Sequence, residues 1–247
     1  MKPNDMPVAL ATNTEAETRL HMSSGFYRTC CALLLASGLL LLWINQGSGY
    51  DLKLADYYYD TQQHDFPWRE TWFAATFMHI WLKNLIIAAG VPVLIFCLFD
   101  AIRPQIWLPA LRRTQLRIVA LASIFIPFII KLVKHHSALQ CPWDLNRYGG
   151  DTPYMRLLDH IPPGWEAGHC FPAGHASSGL WLAALAVLWL PRQPVKAFVV
   201  FWLGLGVGLA MGWVQQMRGA HFLSHTLWAA WIAAALLLCL IWLFDRR

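Results

Sequence analysis

Phe171-Pro-Ala-Gly-His-Ala-Ser-Ser178 stands where a polar loop runs into a long apolar stretch. Pro172 and Gly174 predict a tight turn there. A helix starting at about Ala176 would leave its first backbone N–H groups unpaired at that turn. Unpaired N–H groups at a helix N-terminus bind anions, phosphate above all. His175 sits at the mouth of the turn and can give or take a proton near neutral pH. A plain loop-to-helix junction capped by a histidine reads the same way, so the chemistry has to come from elsewhere in the chain.

The apolar run after this turn is one of several. Of 247 residues, 57% are hydrophobic and only 13% charged, and the mean hydropathy is +0.41. Soluble domains carry about twice that charge. Runs near the roughly 20 residues needed to cross a bilayer fall at about 26–44, 77–99, 115–133, 176–190, 197–214 and 224–244. These predict an all-α polytopic membrane protein with six transmembrane helices. Residues 1–25 form a polar segment ahead of one domain over 26–247. The first 25 residues lack an apolar h-region with a small-residue cleavage site, so the first span is expected to stay as an uncleaved anchor. Fourteen tryptophans suit interfacial belts. The pI near 9.0 does not point to nucleic acid, because the positive charges fall mostly beside the spans.

The Lys/Arg bias sets the orientation. Arg103, Arg112, Arg113 and Arg117 lie in or beside one connection, Arg192 and Lys196 in another, and Arg246 and Arg247 at the C-terminus. With Lys2, Arg19 and Arg28 they define one side, cytoplasmic by the positive-inside rule. Both termini are then inside, and segments 45–76, 134–175 and 215–223 face out, into the periplasm of a bacterium.

Residues 50–70 are aromatic and mixed in charge, and read either as a helix on the membrane surface or as a packed connector, with no catalytic role visible. His79 and Lys83 lie four apart in the second span, where ionisable groups are costly and usually partnered or functional. Lys134-His135-His136 ends the third span and opens a long outer loop, and loops of that length often carry function. Cys141 and Cys170 both fall in this loop. An oxidising compartment predicts a disulfide between them; zinc binding with nearby histidines is the alternative. Near the end of the chain, Arg218, His221 and His225 follow one another at spacings of three and four. If helical, all three share one face. Arginine suits phosphate through its fork of donors, and a histidine can carry a phosphoryl group covalently. Gly204, Gly206, Gly208 and Gly212 in the preceding span permit close helix approach.

Three of these stretches carry a family resemblance. Lys134 to Pro142, Phe171 to His175 and Gln215 to His225 resemble the three signature motifs of the type 2 phosphatidic acid phosphatase family. The resemblance implies a six-helix core and metal-independent removal of phosphate from membrane lipids through a phosphohistidine, with no cofactor. Lys134 matches the phosphate-binding lysine, and Gly174 the glycine whose backbone faces the phosphate. His175 matches the general acid and His221 the nucleophile. Five positions depart from the pattern. Cys141 stands for the first-motif arginine, Ala173 for the second-motif serine, Gln215 for the third-motif arginine, Val214 for the serine before it, and His225 for the aspartate four after the nucleophile. Arg218 and Arg147 are the candidates to replace the lost arginines, and Ser177 or Ser178 the lost hydroxyl. His225 is the candidate to accept a hydrogen bond from His221, and Asp144 or Asp151 the candidate to supply the lost negative charge.

The expected function is a periplasm-facing phosphatase of the bacterial inner membrane. Candidate substrates are undecaprenyl diphosphate, phosphatidate or phosphatidylglycerophosphate, and lipid A. A lipid-to-lipid phosphotransferase, a non-catalytic lipid-phosphate binding protein, and a metal site using His221 and His225 with His135, His136 and His169 are the alternatives.

Overall fold

The computed structural model describes residues 20–246. Most of the expected cytoplasmic segment 1–25, with Lys2 and Arg19, lies outside the described residues, as does Arg247. The described residues are helical with no named strand. Helix α1 is Ser24–Ser48, α2 is Tyr50–Tyr58, and α3 is Trp72–Ile102, in π-helical register as far as Leu82. Helix α4 is Ala110–His135, α5 Gly174–Trp189, α6 Pro194–Met217 and α7 Leu223–Asp245.

Five of these (α1, α3, α4, α6, α7) are long and apolar enough to cross a membrane. The fourth of the six expected spans is the short inner helix α5. It has seven α-helical residues followed by nine in 3₁₀ form. The larger 3₁₀ rise stretches it to roughly 28 Å, close to a hydrocarbon thickness of about 30 Å. Helix α1 is peripheral: 11% of its most apolar window is buried within the protein, against 33% for α4, α6 and α7. Leu33, Leu35, Leu39 and Leu40 on α1, and Leu85, Ile95 and Leu98 on α3, point outward. Such faces suit lipid rather than water.

The core centres on α5. Ile118, Ala122, Ile126 and Ile130 recur every fourth residue of α4 and are fully buried with Leu180, Ala184 and Val187 of α5. Lipid gives helices little hydrophobic reason to associate, so close packing must do the work. Here α6 supplies it with glycine. A Cβ on Gly204 would lie 2.5 Å from the Ala183 nitrogen, one on Gly208 would lie 2.5 Å from Leu180 Cδ2, and one on Gly212 would run into Thr226 of α7. Gly206 meets nothing, so three of the four span glycines form the contact face.

The helix directions sort the polar groups to two ends. At one end, Asp100 pairs with Arg113 at 2.7 Å and Arg117 at 3.5 Å. Arg112 donates to Leu188 O and Gln115 to Leu190 O, each at 2.6 Å, which ties the start of α4 to the end of α5. Short connections then make α6 and α7 alternate in direction, so the end of α7 returns to this arginine-rich side. There Asp245 accepts hydrogen bonds from Met22 N and Tyr27 Oη at the start of α1. The opposite end collects α2, the 136–173 loop and the 218–222 turn.

Helix α2 is packed there rather than lying free on a surface. Asp51 and Ala55 are buried, and Asp51 binds the first turn of α7.

Candidate active site

Three backbone features bring the sequence-predicted residues together at this second end. The first is the turn before α5. Ala173 N donates to His225 O at 3.0 Å, which clamps the turn to the first helical turn of α7. A Cβ on Gly174 would lie 3.1 Å from Lys134 Cδ, so the lysine at the end of α4 crosses the α5 N-terminus at the one residue without a side chain.

The second is the end of the π register in α3. Lys83 N–H bonds to Ile80 O, and the Met78 carbonyl takes His175 instead: His175 Nε2 donates to Met78 O at 3.1 Å. The His175 ring stacks on His79 with centroids 4.3 Å apart and planes at 21°. His79 and Lys83 are therefore part of this cluster.

The third is the 218–222 turn. Arg218 ends α6, and Gly219 at φ +72° breaks the helix. Arg218, His221 and His225 therefore do not share one helical face. A Cβ on Gly219 would collide with the Phe66 ring, and the Gly219 carbonyl accepts from Trp143 N at 3.0 Å. Trp143 follows Cys141 in the outer loop, so this turn joins the first and third motif stretches.

His221 is delivered into this enclosure, 6% exposed, with Nδ1 3.4 Å from Cys170 Sγ. Burial pushes its pKa well below the ordinary value; the charges of His225, Lys134 and His175 push the same way, and the Cys170 backbone carbonyl, accepting from the ring, opposes them. The imidazole is thus held neutral, the form that has a nucleophilic lone pair. Arg218, 9% exposed, donates from Nε to Arg69 O at 2.9 Å and from Nη1 to Gln215 Oε1 at 3.1 Å. Those two bonds fix its plane.

The sequence of this half of the chain agrees with the geometry: residues 115–247 match the PAP2 superfamily model, just over half of the chain. The chain belongs to the PAP2 superfamily. No curated protein and no solved structure matches it. The PAP2 match begins within α4, so α1, α2 and α3 lie outside it, and with them His79, Met78 and Asp51.

Several candidate residues are engaged in ways the PAP2 motifs do not foretell. Arg147 is not brought to the cluster: its Nε and Nη2 donate to Asp56 Oδ1 and Oδ2 at 2.7 and 2.8 Å. Tyr148 Oη adds a third bond to Asp56, and the Arg147 bonds hold that carboxyl below its usual pKa. Ser177 Oγ donates back to Gly174 O at 2.5 Å, so its proton is spent inside α5. His225 makes no hydrogen bond to His221. Their rings meet at 67° with centroids 5.8 Å apart, His225 Nδ1 has no partner, and Phe171 and Phe222 each pack against its ring at 5.4 Å. Gln215, where the resemblance expects an arginine, leaves a buried Nε2 without a partner beside Arg218.

The expected disulfide is formed: Cys141 and Cys170 are bonded, with Cα atoms 5.3 Å apart. Their sulfurs and a His221 nitrogen lie within 4.8 Å of one another, the arrangement of a metal triad. The two sulfurs are joined to each other, however, and zinc needs thiolates. His135, the last residue of α4, stacks on His169 of the outer loop at 5.5 Å.

Asp51 was not legible in the sequence. It is 2% exposed and accepts from Ser224 N at 2.9 Å, Ser224 Oγ at 2.5 Å and Asn45 Nδ2 at 3.5 Å. An aspartate in a mixed aromatic stretch gives no sign that it will cap a helix some 170 residues later.

Proposed function

We propose that this PAP2 member is a lipid-phosphate phosphatase of the bacterial inner membrane, working at the periplasmic face through a phosphohistidine on His221. The carrying observation is the meeting of a neutral, buried His221 with Lys134, Gly174 and His175 at one end of a helical bundle with apolar outer flanks. Lys134, the α5 N-terminus and Arg218 supply the positive field for phosphate oxygens. The apolar flanks suit a substrate that arrives sideways from the bilayer, such as undecaprenyl diphosphate, phosphatidate or phosphatidylglycerophosphate, or lipid A.

In this reading His221 attacks phosphorus, a P–N bond forms, and the bond to the leaving oxygen breaks. His175 gives that oxygen its proton. The Met78 carbonyl on Nε2–H holds the ring for this. Water then attacks the phosphohistidine and gives a proton to His175, the P–N bond breaks, and inorganic phosphate leaves with His221 neutral and His175 protonated again.

The test is phosphate release from a panel of lipid phosphates in detergent micelles, with a chelator present, for wild type beside His221→Ala. Release by wild type that is lost in the variant supports the reading. Release that survives in His221→Ala, or none from any lipid, sinks it; phosphoryl transfer appearing only with an added lipid acceptor would mark a phosphotransferase.

A further inference from the structure

A histidine nucleophile needs a group to fix its tautomer. In a neutral imidazole one nitrogen carries the proton and the other the lone pair, and the partner of the first decides which is which. The residues that would do this by analogy do not do it here. His225, at the PAP2 aspartate position, makes no bond to His221. Asp51, the buried carboxylate at this end, is occupied by Ser224 and Asn45. The atom that faces His221 Nδ1 is Cys170 Sγ, at 3.4 Å.

We propose that the Cys141–Cys170 disulfide is the positioning group of the nucleophile: its Cys170 sulfur accepts a hydrogen bond from His221 Nδ1–H and so keeps the lone pair on Nε2. This rests on the reading of His221 as nucleophile. A disulfide sulfur has no proton, so it can only accept, and the shared hydrogen must belong to Nδ1. The sulfur is held for the task. Cys170 is fully buried, its N–H bonds to Leu139 O at 3.0 Å, and its Sγ lies 3.2 Å from Ala220 O, the carbonyl just before His221. Cys141, which stands where the resemblance places an arginine, is here the anchor of that sulfur. The departure then has a use: a phosphate donor has been replaced by a support for the nucleophile.

A simple staple and a positioning group make different predictions. The direct measurement is an imidazole ¹⁵N–¹H correlation spectrum of the full chain in micelles, labelled with ¹⁵N-histidine, with His221 assigned by its loss in His221→Asn. The expected spectrum shows the proton on Nδ1 and an unprotonated Nε2. A proton on Nε2 overturns the proposal. This readout needs no turnover, so it stands apart from the phosphate-release test of function.

The second measurement compares Cys141→Ala with Cys141→Ala/Cys170→Ala. Both lack the cross-link, and only the first keeps a sulfur beside His221. In both, the other groups facing His221 are the same: Lys134 from α4, His175 from α5 and His225 from α7. The Cys170 sulfur of Cys141→Ala can still accept from Nδ1–H, so Cys141→Ala is expected to keep kcat/KM at least threefold above the double variant. Equal rates for the two variants across pH 6–9 would reduce the disulfide to a staple.

Discussion

Removing the Asp51 carboxylate tests whether α2 holds the active end of α7 in place. The carboxylate receives the Ser224 N–H at 2.9 Å and the Ser224 hydroxyl at 2.5 Å. Ser224 is the second residue of α7 and the third after His221. Asp51→Ala strips this acceptor from a residue that is fully buried. Loss of the capping acceptor for the Ser224 N–H costs about 1 kcal/mol, and leaving the buried Ser224 hydroxyl unpaired costs about 1–3 kcal/mol. Together the expected loss is about 2–4 kcal/mol, or about 5–15 °C in Tm for a chain of this size. Asp51→Asn keeps one oxygen for the Ser224 N–H and should lose only about 1 kcal/mol. Tryptophan fluorescence during heating in detergent would read the order wild type, Asp51→Asn, Asp51→Ala. An Asp51→Ala protein that unfolds within 2 °C of wild type would refute the capping argument.

Three further expectations use the same geometry. Gly219→Ala places a Cβ on a residue at φ +72° and into the Phe66 ring; a left-handed conformation costs about 1–2 kcal/mol and overpacking about 1–3 kcal/mol, so unfolding at least 5 °C early and a tenfold fall in turnover are expected, and wild-type values for both would contradict the close approach. Arg147→Ala breaks an exposed pair with Asp56, worth under about 1 kcal/mol, and should change kcat/KM by less than threefold; a hundredfold loss would place Arg147 on the phosphate. In the proposed mechanism His221 attacks as the neutral imidazole, and its pKa is lowered below the ordinary 6.5, so kcat/KM should hold as pH falls through 6.5 and drop only in more acid solution. An acid limb centred at or above 6.5 would show that His221 is not desolvated.

Much of the site was legible because its chemistry depends on residue type at fixed local spacing. Gly174 beside His175 announced a helix mouth, and the cysteines of one outer loop announced their bond. What failed were inferences that assumed local geometry would continue. Arg218, His221 and His225 have helical spacing, yet Gly219 turns the chain because Phe66, from a distant loop, fills the space a side chain would need. Arg147 has the right charge, yet Asp56 binds it first.

The division has one physical cause. The sequence alone determined the apolar helices, the arginine-rich end and the residues able to do phosphoryl chemistry, because hydropathy, charge bias and side-chain type are properties of single segments. Only the tertiary structure decided that α5 is a short inner helix, that Met78 of a π-helical turn holds His175, that Asp51 caps α7, and that a disulfide sulfur faces His221. Each of these is a contact between segments far apart in the chain, and such contacts exist only once the helices have packed.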